Sequence, residues 1–111
     1  MKNVAAVQAL SALANEHRLA IFRLLVQAGP PGLAAGAVAE ELGFPASSLS
    51  FHLAHLNRAG LITQRREGRS LIYAADFEAM NGLVGFLTEN CCGGASCAPA
   101  AAPPQKKRKA S

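Results

Sequence analysis

The sequence predicts a mainly α-helical domain with a small β-hairpin, and three observations support this. Apolar residues recur at helical spacing over most of the first 60 residues. The pattern then changes to that of two β-strands around a glycine-containing turn. A last helical stretch follows the second strand. Because the chain has 111 residues, of which 50% are hydrophobic and 16% charged, these elements fit one globular domain.

Two helices are predicted before residue 30. The first is short and is indicated by Val4, Val7 and Leu10 at helical spacing. Asn15 is a favourable N-cap for the second, which is apolar over much of its circumference and therefore predicts a central core helix. The run Gly29-Pro30-Pro31-Gly32 ends it, because proline lacks the N–H that a continuing helix needs.

A helix-turn-helix pair is predicted next. An Ala-rich third helix runs from about Leu33 to Leu42, and Gly43-Phe44-Pro45 makes a tight break. The fourth helix covers Ala46 to Ala59, and Gly60 follows as the residue that ends it.

A hairpin and a fifth helix complete the predicted domain. Strands at Leu61–Arg66 and Arg69–Ala74 flank Glu67-Gly68, and the last helix runs from Phe77 to about Asn90. This order is that of a winged helix-turn-helix domain, in which the second helix of the pair enters the DNA major groove. We therefore expect a DNA-binding and dimerisation domain over residues 1–90 and a flexible tail over residues 91–111, rich in Ala, Pro, Gly and Ser.

Several classes of protein are disfavoured by the sequence. No apolar run reaches the ~18–20 residues that span a bilayer, and the N-terminus lacks the pattern of a signal peptide. We expect a cytoplasmic protein, without a membrane partner, whose cysteines stay reduced. An enzyme is not predicted, because the sequence has no phosphate loop, paired catalytic carboxylates or Ser/His/Asp constellation.

The net charge of +4 is concentrated at the C-terminus. Four of the eleven basic residues, Lys106, Lys107, Arg108 and Lys109, lie in the last six positions, and the remainder carries seven basic and seven acidic residues. DNA binding must therefore be argued from local placement of charge. We expect the basic run to act as a non-specific phosphate-binding arm or as a solvated tail.

The fourth helix has the features of a recognition helix. Leu49, Leu53 and Leu56 form one stripe that should face the core, and the opposite side carries small or hydrogen-bonding side chains. An exposed Phe51 could contact a thymine methyl group; alternatively, the serines only cap the helix and Phe51 packs on a neighbour. The candidate DNA-binding residues here are Ser47, Ser48, Ser50, Phe51, His52, His55 and Arg58.

The predicted hairpin adds a basic cluster. Arg65, Arg66 and Arg69 surround its tip, where a wing beside the recognition helix would place them on the phosphate backbone or in the minor groove. Charges on an edge strand also deter aggregation. The basic cluster therefore indicates DNA binding only because a helix-turn-helix lies next to it.

Three segments resemble the ArsR/SmtB metalloregulatory repressors. Residues 13–25, LANEHRLAIFRLL, resemble the opening core signature of that family. Residues 47–61, SSLSFHLAHLNRAGL, resemble its recognition helix, and Arg66-Glu67-Gly68-Arg69 followed by Tyr73 resembles its wing. The resemblance spans about residues 5–90. It implies a homodimer that binds operator DNA, represses a metal- or metalloid-resistance operon and leaves the DNA when the inducer binds.

A homodimer is also favoured by the apolar stripes of the first and last helices. Pairing both stripes across a two-fold axis would bury them and set two recognition helices about 34 Å apart, one on each successive major groove. The alternative is that both stripes complete the core of a monomer.

All three cysteines, Cys91, Cys92 and Cys97, follow the last predicted helix. Three thiolates without a nearby histidine or carboxylate cluster make a soft, sulfur-only site, whereas structural zinc prefers four ligands. The count fits trivalent arsenic, As(III), or antimony, Sb(III), as inducer, and methylarsenite would need two thiolates. A zinc or cadmium site, a redox switch and no role remain as alternatives.

Two departures from well-known family members concern the metal sites. The third helix lacks the Cys-x-Cys that some arsenite sensors carry there, and the last helix has no histidine for the zinc site of other members. The cysteines instead resemble those of a subgroup of arsenic regulators with a C-terminal Cys-Cys pair and a third cysteine nearby.

Overall fold

A computed structural model describes residues 1–94 and contains five helices around a three-stranded sheet. In chain order the elements are α1 (Asn3–Leu13), α2 (Glu16–Ala28), β1 (Leu33–Ala34), α3 (Ala35–Leu42), α4 (Ala46–Arg58), β2 (Ile62–Glu67), β3 (Ser70–Ala75) and α5 (Phe77–Leu87), followed by one 3₁₀ turn at Cys91–Gly94. The predicted fold class, a mainly α winged helix-turn-helix with a β-hairpin, is confirmed.

Side-chain caps fix the beginnings of two helices. Asn15 Oδ1 accepts hydrogen bonds from the backbone N–H groups of His17 and Arg18, both at 3.0 Å, as predicted for the start of α2. Asp76 Oδ1 accepts from the N–H of Ala79 at 3.0 Å and begins α5. These caps satisfy N–H groups that the first helical turn leaves without partners.

The prediction that α5 reaches Asn90 is wrong by three residues. The helix ends at Leu87, where Thr88 Oγ1 donates to the carbonyl oxygen of Val84 at 2.8 Å. Asn90 then adopts a left-handed φ of +56°, which no helix can continue through.

The prediction that α3 begins at Leu33 is also wrong. Leu33 and Ala34 form strand β1, which pairs antiparallel with β3 through Leu33 opposite Tyr73, so the strand order is β1-β3-β2. Gly32 permits this pairing, because its φ is +71° and a Cβ there would lie 2.3 Å from the carbonyl oxygen of Tyr73. A two-residue strand is too short to show an alternating pattern in the sequence.

The hairpin is present, with its turn one residue later than predicted. Glu67 pairs with Ser70, so Gly68 and Arg69 form the two-residue turn. Gly68 has a φ of +63°, which two-residue hairpin turns require and glycine adopts without strain.

The core lies between α2, α3, α4 and the base of the hairpin. Its fully buried larger side chains are Ile21, Leu25, Val38, Leu53, Leu56, Leu61 and Ile62. Each such burial contributes roughly 1.5–3 kcal/mol. Because α4 supplies a complete buried stripe, its outer face is held in a fixed orientation.

Helices α1 and α5 each leave part of their apolar surface exposed, although α5 packs Phe77, Met80, Leu83 and Phe86 against the core. Helix α1 turns Ala6, Ala9 and Ala12 inward, so its larger apolar side chains remain outside. The exposed apolar residues of the two helices are Val4, Val7 and Leu10 on α1 and Val84 and Leu87 on α5. No helix within residues 1–94 is long and apolar enough to cross a membrane.

Candidate nucleic-acid interface

Helix α4 presents the predicted reading face to solvent. Its inward stripe of Leu49, Leu53 and Leu56 is buried, which confirms the predicted orientation of the helix. The opposite side carries the exposed residues Ser47, Ser48, Ser50, Phe51, Ala54 and Arg58. Their contact with DNA stays a prediction, but all of them are accessible to a duplex.

Phe51 is the largest side chain on this face and is 64% exposed. The alternative that it packs away on a neighbouring element is therefore wrong within the described chain. Its ring contacts that of the adjacent His52 edge-on, with ring centroids 5.8 Å apart.

His52 occupies the side of α4 that meets the start of α2. The ring is half-buried, and its centroid lies 5.5 Å from that of His17. Within residues 1–94, Nδ1 of His52 is buried without a hydrogen-bond partner. The structure thus separates His52 from the fully exposed residues with which the sequence grouped it.

Burial lowers the pKa of both recognition-helix histidines. For His52, the nearby positive charge of Arg18 and then the rings of His17 and His55 lower the pKa further. For His55, which is half-buried, Arg18 and then Arg58 add to the effect of burial. Both rings are therefore kept neutral near pH 7 in the absence of DNA, and the exposed guanidinium on this face is that of Arg58.

The wing arginines do not behave alike. Arg65 Nε donates to Glu67 Oε2 at 2.7 Å, and Nη2 of the same guanidinium donates to the carbonyl oxygen of Pro31 at 2.7 Å. The second bond joins β2 to the loop before β1, and the first lies within β2. Arg66 and Arg69 are exposed along the same hairpin.

These contacts change what is expected of Arg65. The sequence grouped it with Arg66 and Arg69 as a phosphate ligand, whereas in the structure two of its donors bond to Glu67 and to the carbonyl oxygen of Pro31. The partner at Pro31 lies 34 positions away, so sequence spacing gave no signal for this role.

An open groove between α1 and the C-terminal half of α4 is a further feature that sequence reasoning missed. It has a volume of about 490 Å³. Its lining residues are Val7, Gln8, Ser11, His55, Arg58 and Ala59. Helix α1 therefore lies beside two candidate DNA-binding residues, His55 and Arg58.

The candidate thiol site is described only in part. Cys91 and Cys92 lie in the 3₁₀ turn after α5, with their sulfur atoms 3.7 Å apart. Cys97 and the basic run at Lys106–Lys109 lie outside the described residues. Within residues 1–94, no group of three or more His, Cys, Asp or Glu side chains could hold a metal ion.

A helix-turn-helix domain family matches residues 13–65 of this chain. The HTH-type transcriptional regulator YgaV of Escherichia coli is 34% identical over 83 residues, which are 75% of this chain and 82% of YgaV. The transcriptional activator HlyU of Vibrio cholerae is 35% identical over 87 residues, which are 78% of each chain.

The chain is also similar to solved structures of transcriptional regulators. Reduced HlyU from Vibrio cholerae has a TM-score of 0.60 at 32% identity, covering 80% of this chain and 90% of that one. The homodimeric winged helix-turn-helix domain of Mb0332 from Mycobacterium bovis, a possible ArsR-family regulator, has a TM-score of 0.62 at 30% identity, covering 78% and 80%. A possible transcriptional regulator for arsenical resistance has a TM-score of 0.61 at 26% identity, covering 72% and 79%.

The exposed face of α4 and its flanking basic wing thus belong to a winged helix-turn-helix DNA-binding domain of the transcription-regulator class. More closely, the chain belongs to the winged helix-turn-helix transcriptional regulators of the ArsR/SmtB type. Its relatives YgaV and HlyU are a transcriptional regulator and a transcriptional activator, respectively.

Proposed function

We propose that this chain is a homodimeric transcriptional repressor that releases operator DNA when trivalent arsenic binds Cys91, Cys92 and Cys97. The proposal is carried by the cysteines, all three of which fall within seven positions after α5. The similarity to a solved regulator named for arsenical resistance gives independent support.

The Cys91 and Cys92 sulfur atoms lie 3.7 Å apart, close enough for both to bind a single ion in the reduced protein. When bound, arsenic supplies a single centre that holds the thiolates together. A soft, sulfur-only donor set favours such an ion over hard cations.

Operator binding rests on α4 and the wing of each subunit. The exposed serines, Phe51 and Arg58 would meet base edges and phosphates in the major groove, and Arg66 and Arg69 would meet the backbone beside it. The exposed apolar residues of α1 and α5 would be buried in the dimer, which supports the two-fold arrangement that a palindromic operator requires.

Release follows from the position of the cysteines relative to that interface. Cys91 lies four residues beyond the end of α5, so a change in the turn that contains it acts directly on a helix of the proposed interface. A coupling of ~1–3 kcal/mol between the two sites would lower operator affinity ~5–150-fold.

The test is a fluorescence-anisotropy titration of palindromic operator DNA with the reduced full chain. It is repeated with arsenite, methylarsenite, antimonite, zinc and cadmium, and then with Cys91→Ser, Cys92→Ser and Cys97→Ser. Glu89→Gln is the matched control, because it changes an exposed side chain beside the thiols without removing one. We expect trivalent metalloids to release DNA from the wild type and the control and not from the serine variants.

The outcomes separate the parts of the proposal. Tight DNA binding that no metalloid affects would contradict arsenic sensing, whereas the proposed role as a DNA-binding regulator would stand. Release that survives in Cys97→Ser and fails in Cys91→Ser would replace the three-thiolate site with a two-thiolate one.

A second candidate signal is thiol oxidation. It is favoured by the 3.7 Å contact between the Cys91 and Cys92 sulfur atoms. A solved structure of a relative, reduced HlyU, is described by its redox state, which also supports this candidate. Forming one disulfide from two of the three thiols gives two protons and two electrons to an oxidant such as hydrogen peroxide, which becomes two water molecules. DNA release by peroxide without metalloid, reversed by dithiothreitol, would favour this candidate.

A further inference from the structure

Phe51 lies near the centre of the outward face of α4. It is opposite the buried stripe of Leu49, Leu53 and Leu56, and 64% of it is exposed. Exposure of a phenyl ring to water is unfavourable, because a large apolar area remains hydrated. A ring in the middle of a DNA-reading face is therefore available to an apolar group of a bound duplex.

The neighbours of Phe51 on the helix surface make the ring project. Residues three and four positions away share its side of the helix; of these, Ser47, Ser48 and Ala54 are small and exposed, and His55 is half-buried. One edge of the ring meets the half-buried imidazole of His52, at a centroid distance of 5.8 Å. Phe51 therefore projects beyond the short side chains of Ser47, Ser48 and Ala54, with His52 and His55 along its other side.

The chemistry of the major groove restricts what the ring can contact. Phenylalanine has no hydrogen-bond donor or acceptor, so it cannot read the polar edges of guanine, adenine or cytosine. The apolar group on the major-groove edge of the four bases is the C5-methyl of thymine. The minor-groove wedge role of some phenylalanines does not apply to a helix that lies in the major groove.

We propose that Phe51 is a specificity-determining residue that selects an A·T pair in each operator half-site by packing on the thymine C5-methyl group. This inference rests on the operator binding proposed above and names one base that the operator contains. In this arrangement the flanking serines make the contacts that position the helix, and Phe51 discriminates between bases at one position of the half-site.

The test removes the methyl group from the DNA and leaves the protein unchanged. Duplexes that bind the reduced full chain are selected from a randomised pool, and each thymine of the selected site is replaced in turn by deoxyuridine. Because burying one methyl group corresponds to about a fourfold change in affinity, we expect about a fourfold loss at one position per half-site. Replacing both symmetric positions should cost about 15-fold.

Protein variants then assign the effect to the ring. Phe51→Ala should bind the thymine and deoxyuridine duplexes equally, whereas Phe51→Leu should keep most of the preference. Ser47→Ala is the matched control one turn earlier on the same face, and it should keep the full deoxyuridine penalty. Circular dichroism should show an unchanged fold in Phe51→Ala, because the ring lies outside the core.

A rescue experiment distinguishes a methyl contact from other effects of the base. At the sensitive position, a C·G pair should bind weakly, and 5-methylcytosine, which carries the same C5-methyl group, should recover about fourfold. If deoxyuridine has no effect at any position, or the same effect in Phe51→Ala, the inference is overturned while operator binding stands. If the wild type selects no duplex, the proposed function itself fails.

Discussion

His52 has an unusual environment for a residue on a DNA-reading helix. Its Nδ1 atom is buried without a hydrogen-bond partner within residues 1–94, and its ring lies beside His17. Burial and then the charge of Arg18 lower its pKa. The position is therefore best occupied by a neutral ring, which packs without a counter-charge.

This environment predicts a loss of stability in mild acid. As the pH falls below the ordinary histidine pKa of about 6.5, His52 is protonated in the unfolded chain and resists protonation in the folded one. The unfolded state then binds more protons, so the free energy of unfolding decreases from pH 7 towards pH 5. Urea unfolding at a series of pH values measures the decrease.

The variant His52→Gln should flatten this dependence, because it removes the titrating ring and keeps a polar side chain. His55→Gln is a comparison on the same helix, and it should flatten the curve less because Nδ1 of His52 remains buried beside Arg18 and His17. An equal pH dependence in the wild type and His52→Gln would show that His52 does not cause the decrease.

At the scale of elements, the five helices were predictable because each has a periodic apolar pattern and several have recognisable ends. Asn15 and the Gly29–Gly32 run bracket α2, and Gly60 follows α4, whose reading face could be assigned from the 3.6-residue period alone. The interpretation failed where long-range contacts decide the structure. Strand β1 exists only because β3 lies beside it.

The same limit applies to the candidate site. The exposed serines, Phe51 and Arg58 follow from helical spacing, whereas the inward position of His52 depends on the packing of α4 against α2. The contact between Arg65 and the carbonyl oxygen of Pro31 joins residues 34 positions apart. Local sequence pattern carries no information on such a contact, so three neighbouring arginines looked equivalent.

The contacts of Arg65 predict that it positions the wing. Arg65→Ala should increase hydrogen exchange in β2, β3 and the loop before β1, since the variant cannot form the bonds to Glu67 and Pro31. The guanidinium is about half exposed, so the loss of global stability should be ~1 kcal/mol or less. Hydrogen exchange followed by mass spectrometry, together with chemical unfolding, measures both effects.

Arg66→Ala is the matched control for the wing. It should leave exchange unchanged and reduce the slope of log affinity against log salt by about 0.9 for each phosphate that the guanidinium neutralises in the wild type. An Arg65→Ala variant with normal exchange and a reduced salt slope would mean that Arg65 binds phosphate, as its place in the sequence suggests.

At the scale of the whole molecule, the apolar face of α1 and α5 connects the candidate sites. The cysteine pair follows α5, and α1 forms one wall of the groove beside His55 and Arg58 of α4. A second subunit on this face would therefore contact helices adjacent to both the thiols and the DNA-reading surface. Packed interfaces of this kind transmit small shifts because they do not deform continuously.

The exposed apolar residues allow the proposed dimer interface to be tested by placing a charge on it. Val7 and Val84 are 57% and 55% exposed, so glutamate at either position costs the monomer little. In a dimer, a glutamate buried at the interface would cost several kcal/mol, although at position 7 Arg58 lines the same groove and would offset part of that cost. We expect Val84→Glu to be a folded monomer of 11.5 kDa by light scattering after size exclusion, and Val7→Glu to dimerise more weakly than the wild type.

Loss of the dimer should also weaken operator binding, because one recognition helix engages one half-site and the second half-site is no longer held in register. The control is Leu19→Glu, which changes a comparably exposed apolar residue on α2 and should remain dimeric. If Val84→Glu stays dimeric and binds operator as the wild type does, α5 does not form the interface. The cysteines would then need another route to the DNA-reading helices, and the proposed release mechanism would be wrong even if arsenic binds.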